Sequence, residues 1–319
     1  MKAIVHRRYG PPEVLEYTEV DEPEVIDDGV LVRVRAASVN AFDWHMLRGK
    51  PYVARSDGGL RRPKSTAFGI DAAGIVEAVG PNVTHVKPGD EVYGGRYGAF
   101  AEYVCGRNFV AKPRNVTCEE AAAVPMAGVT ALQAIRDKAR VQPGQRLLVT
   151  GASGGVGTFA VQIAKAFGAH VTGLTQTEKL DFVRSLGADE VIDHRVGDFT
   201  RGSQRFDVVL DVGGYRRLRD LKRVLAPDGT LVLVGPGRGE WIGPIAHVIT
   251  AVVRSRLGKQ HMRPFLANTT HGDLLALKDL IEAGKVRPVI DRTYPLSETA
   301  AAIRYLEAGN VRGKVVLTV

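Results

Sequence analysis

Residues 146–175 read RLLVTGASGGVGTFAVQIAKAFGAHVTGLT. A short apolar run meets a glycine-rich turn, an amphipathic stretch and a second apolar run, the order strand, turn, helix, strand. Ala152, Gly154 and Gly157 hold the three positions of a G-x-G-x-x-G fingerprint, with alanine at the first. Glycine is needed where the backbone must approach a pyrophosphate and where helix and strand must pack closely. The helix N-terminus then offers free N–H groups and a positive dipole to the anion. A plain tight turn is the alternative reading of the same glycines, but the strand before them and the amphipathic helix after them point to dinucleotide binding.

The end of the second apolar run selects the cofactor. An NAD site presents Asp or Glu there to hold the ribose 2′-hydroxyl. This chain has GLTQTEKL, with hydroxyls at Thr175 and Thr177, a cation at Lys179 and no carboxylate at the strand end. The arrangement suits a 2′-phosphate and predicts NADPH. On the alternative reading, Thr175 caps a helix and Lys179 is a solvated surface charge.

Working outward, EVIDH, FDVVLDVGG and TLVLVGPG are further short apolar runs. The segments between them, EKLDFVRSLG and RRLRDLKRVL, have apolar residues at helical spacing. Strands joined by helices through short turns predict a doubly wound parallel sheet. Before Thr117 the texture differs. AIVHRRYG, VLEYTEV, VLVRVRAASV, AAGIVEAVG, GDEVYGG and AFAEYVC read as strands separated by turn residues, the pattern of an all-β barrel or sandwich. The last fifty or so residues hold two helical segments, GDLLALKDLIEAG and ETAAAIRYLEAG, and the runs VRPVIDRTYPL and GKVVLTV. They either extend the parallel sheet or return to the β half.

The whole chain has 319 residues, 45% hydrophobic and 24% charged, which predicts a folded protein of about two domains and excludes a disordered or rod-like chain. Its formal charge of +8 favours anionic partners without choosing among them. Two cysteines, Cys105 and Cys118, are too few for a disulfide framework or a four-thiolate zinc lobe, so a reducing cytoplasm is expected. MKAIVHRRYG at the start is too charged for a signal peptide. WIGPIAHVITAVV at 241–253 is too short to span a bilayer, so no stable membrane insertion is expected.

With the fingerprint in mid-chain after a β-rich half, the sequence resembles the medium-chain dehydrogenase/reductase superfamily, and within it the zinc-independent quinone oxidoreductase branch. The likeness runs through MKAIV, YGPPEVL, AASVNAFDW, FGIDAAGIVEAVGPNVTHVKPGDEV, AAAVPMAGVTALQAI, GASGGVG, LGADEVIDH and RGKVVLTV. It implies an α/β chain made of a GroES-like β-barrel domain, residues 1–118 and 270–319, and a Rossmann NADPH-binding domain, residues 119–269, with the active site in the cleft. Zinc-containing relatives carry a cysteine, a Gly-His-Glu triplet and a further cysteine where this chain has Asn40, Gly69-Ile70-Asp71 and the thiol-free AVPMAG. The protein is therefore read as metal-free.

Without a Lewis acid, hydride delivery to an already electrophilic acceptor is easier than alcohol oxidation. The expected reaction is NADPH-dependent reduction of quinones or α,β-unsaturated carbonyls. The resemblance offers Tyr52 as donor to the carbonyl oxygen, Asn40 as a residue positioning the nicotinamide ribose or carboxamide, and Asp43 as a further polar residue of the cleft. On the plainer reading, Asn40 and Asp43 form a turn at a strand end and Tyr52 is a loop aromatic. The resemblance also implies cofactor contacts from Ser153, Gly155 and Val156, from Thr130 on the junction helix, from His194 near the adenosine, and from Gly213 and Gly235 at strand ends. It suggests a homodimer, with the HMRPFLA strand as a candidate contact. Residues 236–268 depart from smaller family members, as lid, dimer contact, interfacial helix or packed helix. Arg216, Arg217, Arg219, Lys222 and Arg223 read as a solvated helix face, and no nucleic-acid module accompanies them. Two other enzymes, an enoyl-thioester reductase and a zinc-free alcohol dehydrogenase, and one non-catalytic reading, an NADPH-binding sensor or scaffold, share these features.

Overall fold

In VLVRVRAASV the branched residues fall at alternate positions, and this run forms the long strand β3 (Val30–Val39) at the heart of the first unit. The computed structural model describes residues 1–52, 55–214, 216–234 and 259–319. Before β3 lie the paired strands β1 (Lys2–His6) and β2 (Leu15–Glu19). After it come β4 (Asp71–Val79), β5 (Glu91–Gly95), β6 (Tyr103–Gly106) and β7 (Phe109–Ala111). Val30, Val32 and Val34 enter one core with Val76, Val92, Val104 and Phe109. The far end of β3 feeds a second core, Ala37 and Val39 against Leu47, Phe68, Phe100 and Val315. Register shifts at Leu31/Val32 and Val34/Ala36 mark irregularities at which β3 changes its pairing with β4.

The β-rich unit comprises Met1–Val129, Thr269–Gly284 and Pro288–Val319. The tail enters it through β14 (Ile290–Pro295) and β15 (Lys314–Thr318). β15 pairs antiparallel with β3, giving a seven-stranded sheet in the order β14-β15-β3-β4-β5-β7 with β6 also on β3. Helix His271–Glu282 belongs here too: the Tyr93 hydroxyl donates to the Leu274 carbonyl and the Asn115 amide to that of Ile281.

The second unit comprises Thr130–Asn268 and Lys285–Arg287. Its strands are β8 (Arg146–Thr150), β9 (His170–Thr175), β10 (Glu190–Asp193), β11 (Phe206–Asp211), β12 (Leu225–Leu233) and β13 (His261–Pro264). All neighbours are parallel, in the order β10-β9-β8-β11-β12-β13. In order of occurrence this is 3-2-1-4-5-6, the Rossmann arrangement, whose strand order reverses beside β8. The HMRP segment supplies the sixth strand, at the sheet's edge.

The boundary near 118 moves to Val129/Thr130, inside helix Pro125–Gln133. The Met126 N–H donates to both oxygens of Asp71, at 3.1 and 3.2 Å, which ties the start of that helix to β4. Lys285–Arg287 joins the second unit because the Gln162 amide brackets Arg287, donating to its carbonyl at 3.0 Å and accepting from its N–H at 2.8 Å. The 241–253 window and Gly235 lie outside the described residues. No helix among the described residues is long and apolar enough to cross a membrane.

Candidate active site

Strand β8 runs straight into the fingerprint turn, and Gly154, in extended backbone, precedes helix Gly155–Ala166. No side chain caps this helix, so its first N–H groups remain for an anion. A Cβ on Gly154 would find only the Gly151 carbonyl, at 3.5 Å, so the turn leaves room for a phosphate. A Cβ on Gly157 would stand 2.1 Å from that same carbonyl, so only glycine lets the helix close on the turn. The residues present thus fit a dinucleotide pyrophosphate. Ala152 is fully buried, Ser153 nearly so, and the Thr175 hydroxyl donates to Ser153 Oγ at 3.0 Å, joining the ends of the fingerprint and β9.

At the end of β11, Thr150 donates to the buried Asp211 carboxylate at 2.7 Å, and its oxygen receives the N–H groups of Val212 and Gly213 at 3.1 and 3.3 Å. Gly213 thereby stands beside the fingerprint turn; a Cβ on Gly151 would meet its nitrogen at 3.5 Å. Thr130 is buried on helix Pro125–Gln133.

The end of β9 holds more than the sequence suggested. Lys179 is 6% exposed, so it is not the solvated charge of the alternative reading. Asp193 stands opposite Thr175 in the β9–β10 register and accepts a short hydrogen bond from Thr177. His194 donates its backbone N–H to the Thr175 carbonyl at 3.1 Å. Arg195 holds Glu178 at 2.7 Å and Gln176 at 3.0 Å. Asp193 and Arg195 escaped sequence reading because they reach the end of β9 only through the parallel pairing of β10 with β9 and the turn that follows it.

In the first unit β3 ends at Asn40, which starts helix Ala41–Arg48. Asp43 accepts the Asn40 N–H at 2.7 Å. The Asn40 amide donates to Asp71 Oδ2 at 2.9 Å and to the Ser38 carbonyl at 3.3 Å, while its oxygen accepts from Lys314. Lys314 Nζ lies 3.8 Å from Asp71 Oδ2, and Ser38 Oγ donates to that oxygen at 3.3 Å. Asp71 is 0% and Lys314 3% exposed. Asn40 and Asp43 therefore come together, but in a buried network with Asp71 and Lys314.

Burial raises Asp43 to about 7; the neighbouring Asp71 charge adds to that, against the Asn40 N–H and Lys314. Burial also raises Asp71 and lowers Lys314, each opposed by the other's charge. Between pH 4 and 7 the folded chain keeps a proton on Asp43 that the unfolded chain has released, so Asp43 makes stability fall as pH rises through that window. Asp43→Asn is expected to flatten this slope in urea unfolding at successive pH values; a slope identical to wild type would refute the assignment.

Tyr52 is partly buried, and the Arg55 guanidinium lies over its ring, 4.7 Å from the centroid.

Residues 26–114 match the alcohol dehydrogenase GroES-like domain family, and residues 186–317 match the zinc-binding dehydrogenase family. The mitochondrial NAD(P)H oxidoreductase RTN4IP1 of Mus musculus is 34% identical over 100% of this chain and 89% of its own length. The 2-methylene-furan-3-one reductase of Solanum lycopersicum is 35% identical over 99% of this chain and 79% of its own. Among solved structures, the quinone oxidoreductase from Coxiella burnetii superposes with a TM-score of 0.86 at 30% identity, covering 100% of this chain and 99% of that one. The chain belongs to the quinone oxidoreductase branch of the medium-chain dehydrogenase/reductase superfamily.

In this medium-chain reductase, the Asn40 amide is bonded on both ends, and the Asp71 carboxylate is shared by Lys314, Asn40, Ser38 and the Met126 N–H. The described residues contain no group of three or more His, Cys, Asp or Glu placed to hold a metal ion. The helix spans Leu218–Val224, so Arg216 and Arg217 precede it; Arg219 and Arg223 pair with Asp220 at 3.5 Å and Arg216 with Asp198 at 3.8 Å.

Proposed function

We propose that this reductase uses NADPH to deliver hydride to quinones or α,β-unsaturated carbonyls, without a metal ion. The observation that carries the reading is the uncapped helix N-terminus at Gly154–Gly157, open beside Gly154 and closed at Gly157, at the strand-order reversal of a Rossmann sheet. The names of the relatives, an NAD(P)H oxidoreductase, a furanone reductase and a quinone oxidoreductase, support the acceptor class. Bound there, the nicotinamide supplies the hydride. The chain's part is to hold the pyrophosphate on the N–H groups of Gly155, Val156 and Gly157, with Ser153 and Thr175 shaping the turn, Gly213 leaving room at a strand end, Thr130 flanking from the junction helix and His194 bordering the adenosine. Asn40 and Asp43 act as positioning residues of the acceptor side, because their polar atoms are committed to Asp71, Lys314 and each other. Tyr52 borders the acceptor.

NADPH oxidation, followed by absorbance with quinones, enones, enoyl thioesters and alcohols, tests the reading; tight binding with no turnover on any acceptor would overturn it. Lys179→Ala is expected to raise the KM for NADPH about tenfold while leaving that for NADH, from the loss of one charge-assisted contact. An unchanged NADPH/NADH ratio would remove Lys179 from the 2′-phosphate site. Elemental analysis finding stoichiometric zinc would overturn the metal-free assignment.

A homodimer is supported by β13, an edge strand with Leu266 94% exposed just beyond it, an arrangement suited to pairing with a second copy. A monomeric mass in solution would refute it. Cys105 and Cys118 are unpaired thiols, consistent with a reducing compartment such as the cytoplasm; recovery in an organelle fraction would overturn that placement.

A further inference from the structure

The ribose of a dinucleotide bound on a Rossmann fingerprint lies at the C-terminal end of the second strand, where a carboxylate takes a 2′-hydroxyl and an arginine nearby accommodates a 2′-phosphate. In this chain that end is Thr175, followed by Gln176 and the short turn Thr177–Lys179. The stretch itself holds no arginine, but the parallel neighbour supplies one. β10 pairs with β9 so that Asp193 stands opposite Thr175, the His194 N–H donates to the Thr175 carbonyl at 3.1 Å, and Arg195 comes next. Its guanidinium donates to the Glu178 carboxylate at 2.7 Å and to the Gln176 side-chain oxygen at 3.0 Å, so it lies across the turn that leaves β9. The Arg195 N–H is tied to Asp193 Oδ1 at 2.9 Å, and the other Asp193 oxygen accepts from Thr177. All of these residues belong to the second unit.

Two carboxylates and two cations therefore meet at the end of β9. Asp193 is committed at both oxygens, and the Thr177 hydroxyl, then the Arg195 N–H, hold its carboxyl below the usual carboxylate range. Lys179 is buried. The Arg195–Glu178 pair is the movable part, with side-chain exposures of 50% and 61%. An ion pair this open is weak, because solvent screens it and both long side chains lose freedom in forming it. A phosphate monoester is a stronger rival than a carboxylate: it carries roughly two negative charges near neutral pH, and its oxygens match the planar guanidinium fork.

We propose that Arg195 binds the 2′-phosphate of NADPH and that Glu178 competes with the phosphate for it, so that this ion pair sets how strongly the protein prefers NADPH to NADH; the proposal rests on the NADPH reading above and deepens it. With NADH, which has a hydroxyl at that position, the guanidinium stays on Glu178. With NADPH it exchanges the carboxylate for the phosphate and joins Lys179 in offsetting the negative charge, while Asp193 keeps the turn braced.

The test reads binding alone: NADPH and NADH are titrated calorimetrically, without acceptor, into wild type, Arg195→Gln, Arg195→Lys and Glu178→Gln. Arg195→Gln is expected to raise the Kd for NADPH roughly 20-fold, the loss of one charge-assisted phosphate contact, with the Kd for NADH and the thermal midpoint unchanged. Arg195→Lys should keep part of the NADPH preference. Glu178→Gln should move the other way, lowering the Kd for NADPH about threefold and leaving that for NADH, a gain that a merely structural ion pair would not give. Added salt should weaken NADPH binding more steeply in wild type than in Arg195→Gln. An NADPH/NADH affinity ratio in Arg195→Gln within twofold of wild type, equal losses for both nucleotides, or Glu178→Gln binding NADPH no more tightly than wild type would overturn the proposal and leave the NADPH reading standing. Wild type that binds NADH as tightly as NADPH would overturn the NADPH reading itself.

Discussion

Lys314→Met is expected to cost about 3–5 kcal/mol of folding stability, the usual penalty for removing one partner of a buried ion pair. Asp71 would keep its bonds from Asn40, Ser38 and the Met126 N–H but lose its countercharge, at a site with no exposure to water. Its carboxyl, already pushed up by burial, would be pushed up further without the Lys314 charge that opposes it. The midpoint of thermal unfolding should fall by roughly 10 °C. Adding Asp71→Asn to Lys314→Met should recover part of the loss, because the double variant leaves no unpaired charge, so the two substitutions are coupled. Calorimetry or urea unfolding of the four proteins measures this; additive losses would show that the pair is not the source of the cost.

A second large effect separates two glycines three residues apart. Gly154→Val should leave the fold nearly intact, since its Cβ meets nothing closer than the Gly151 carbonyl at 3.5 Å, yet the branched side chain fills the space left for the phosphates. NADPH affinity should drop roughly 30-fold, the equivalent of about 2 kcal/mol of lost helix-terminus attraction. Gly157→Ala should do the reverse first. Its Cβ would stand 2.1 Å from the Gly151 carbonyl and 2.8 Å from Ala152 Cα, all backbone, so the helix must move and stability should fall by about 1–3 kcal/mol. Titration with NADPH alongside thermal melts distinguishes the two; wild-type affinity in Gly154→Val would mean the pyrophosphate binds elsewhere.

Much of the Rossmann unit was legible because its signals are local. Glycine spacing, apolar run length and helical period each act within a few residues, and they placed β8, the fingerprint and helix Gly155–Ala166 correctly. The adenosine end was only half legible. Thr175 and Lys179 are neighbours in sequence, whereas Asp193 reaches Thr177 only through the parallel register of β9 and β10. The first unit hid more. Asn40 and Asp43 stood out as a pair, but their partner Lys314 arrives from the other end of the chain when β15 zips onto β3.

Local sequence settled the two kinds of unit, the dinucleotide turn and the choice of hydroxyls and a lysine over a carboxylate at the end of β9. These follow from turn chemistry and periodicity, which need no distant partner. Tertiary structure decided where the tail belongs and why Asn40 and Asp43 are bound into a charged core. Each of these depends on strand register and loop closure, which bring together side chains that the linear order keeps far apart.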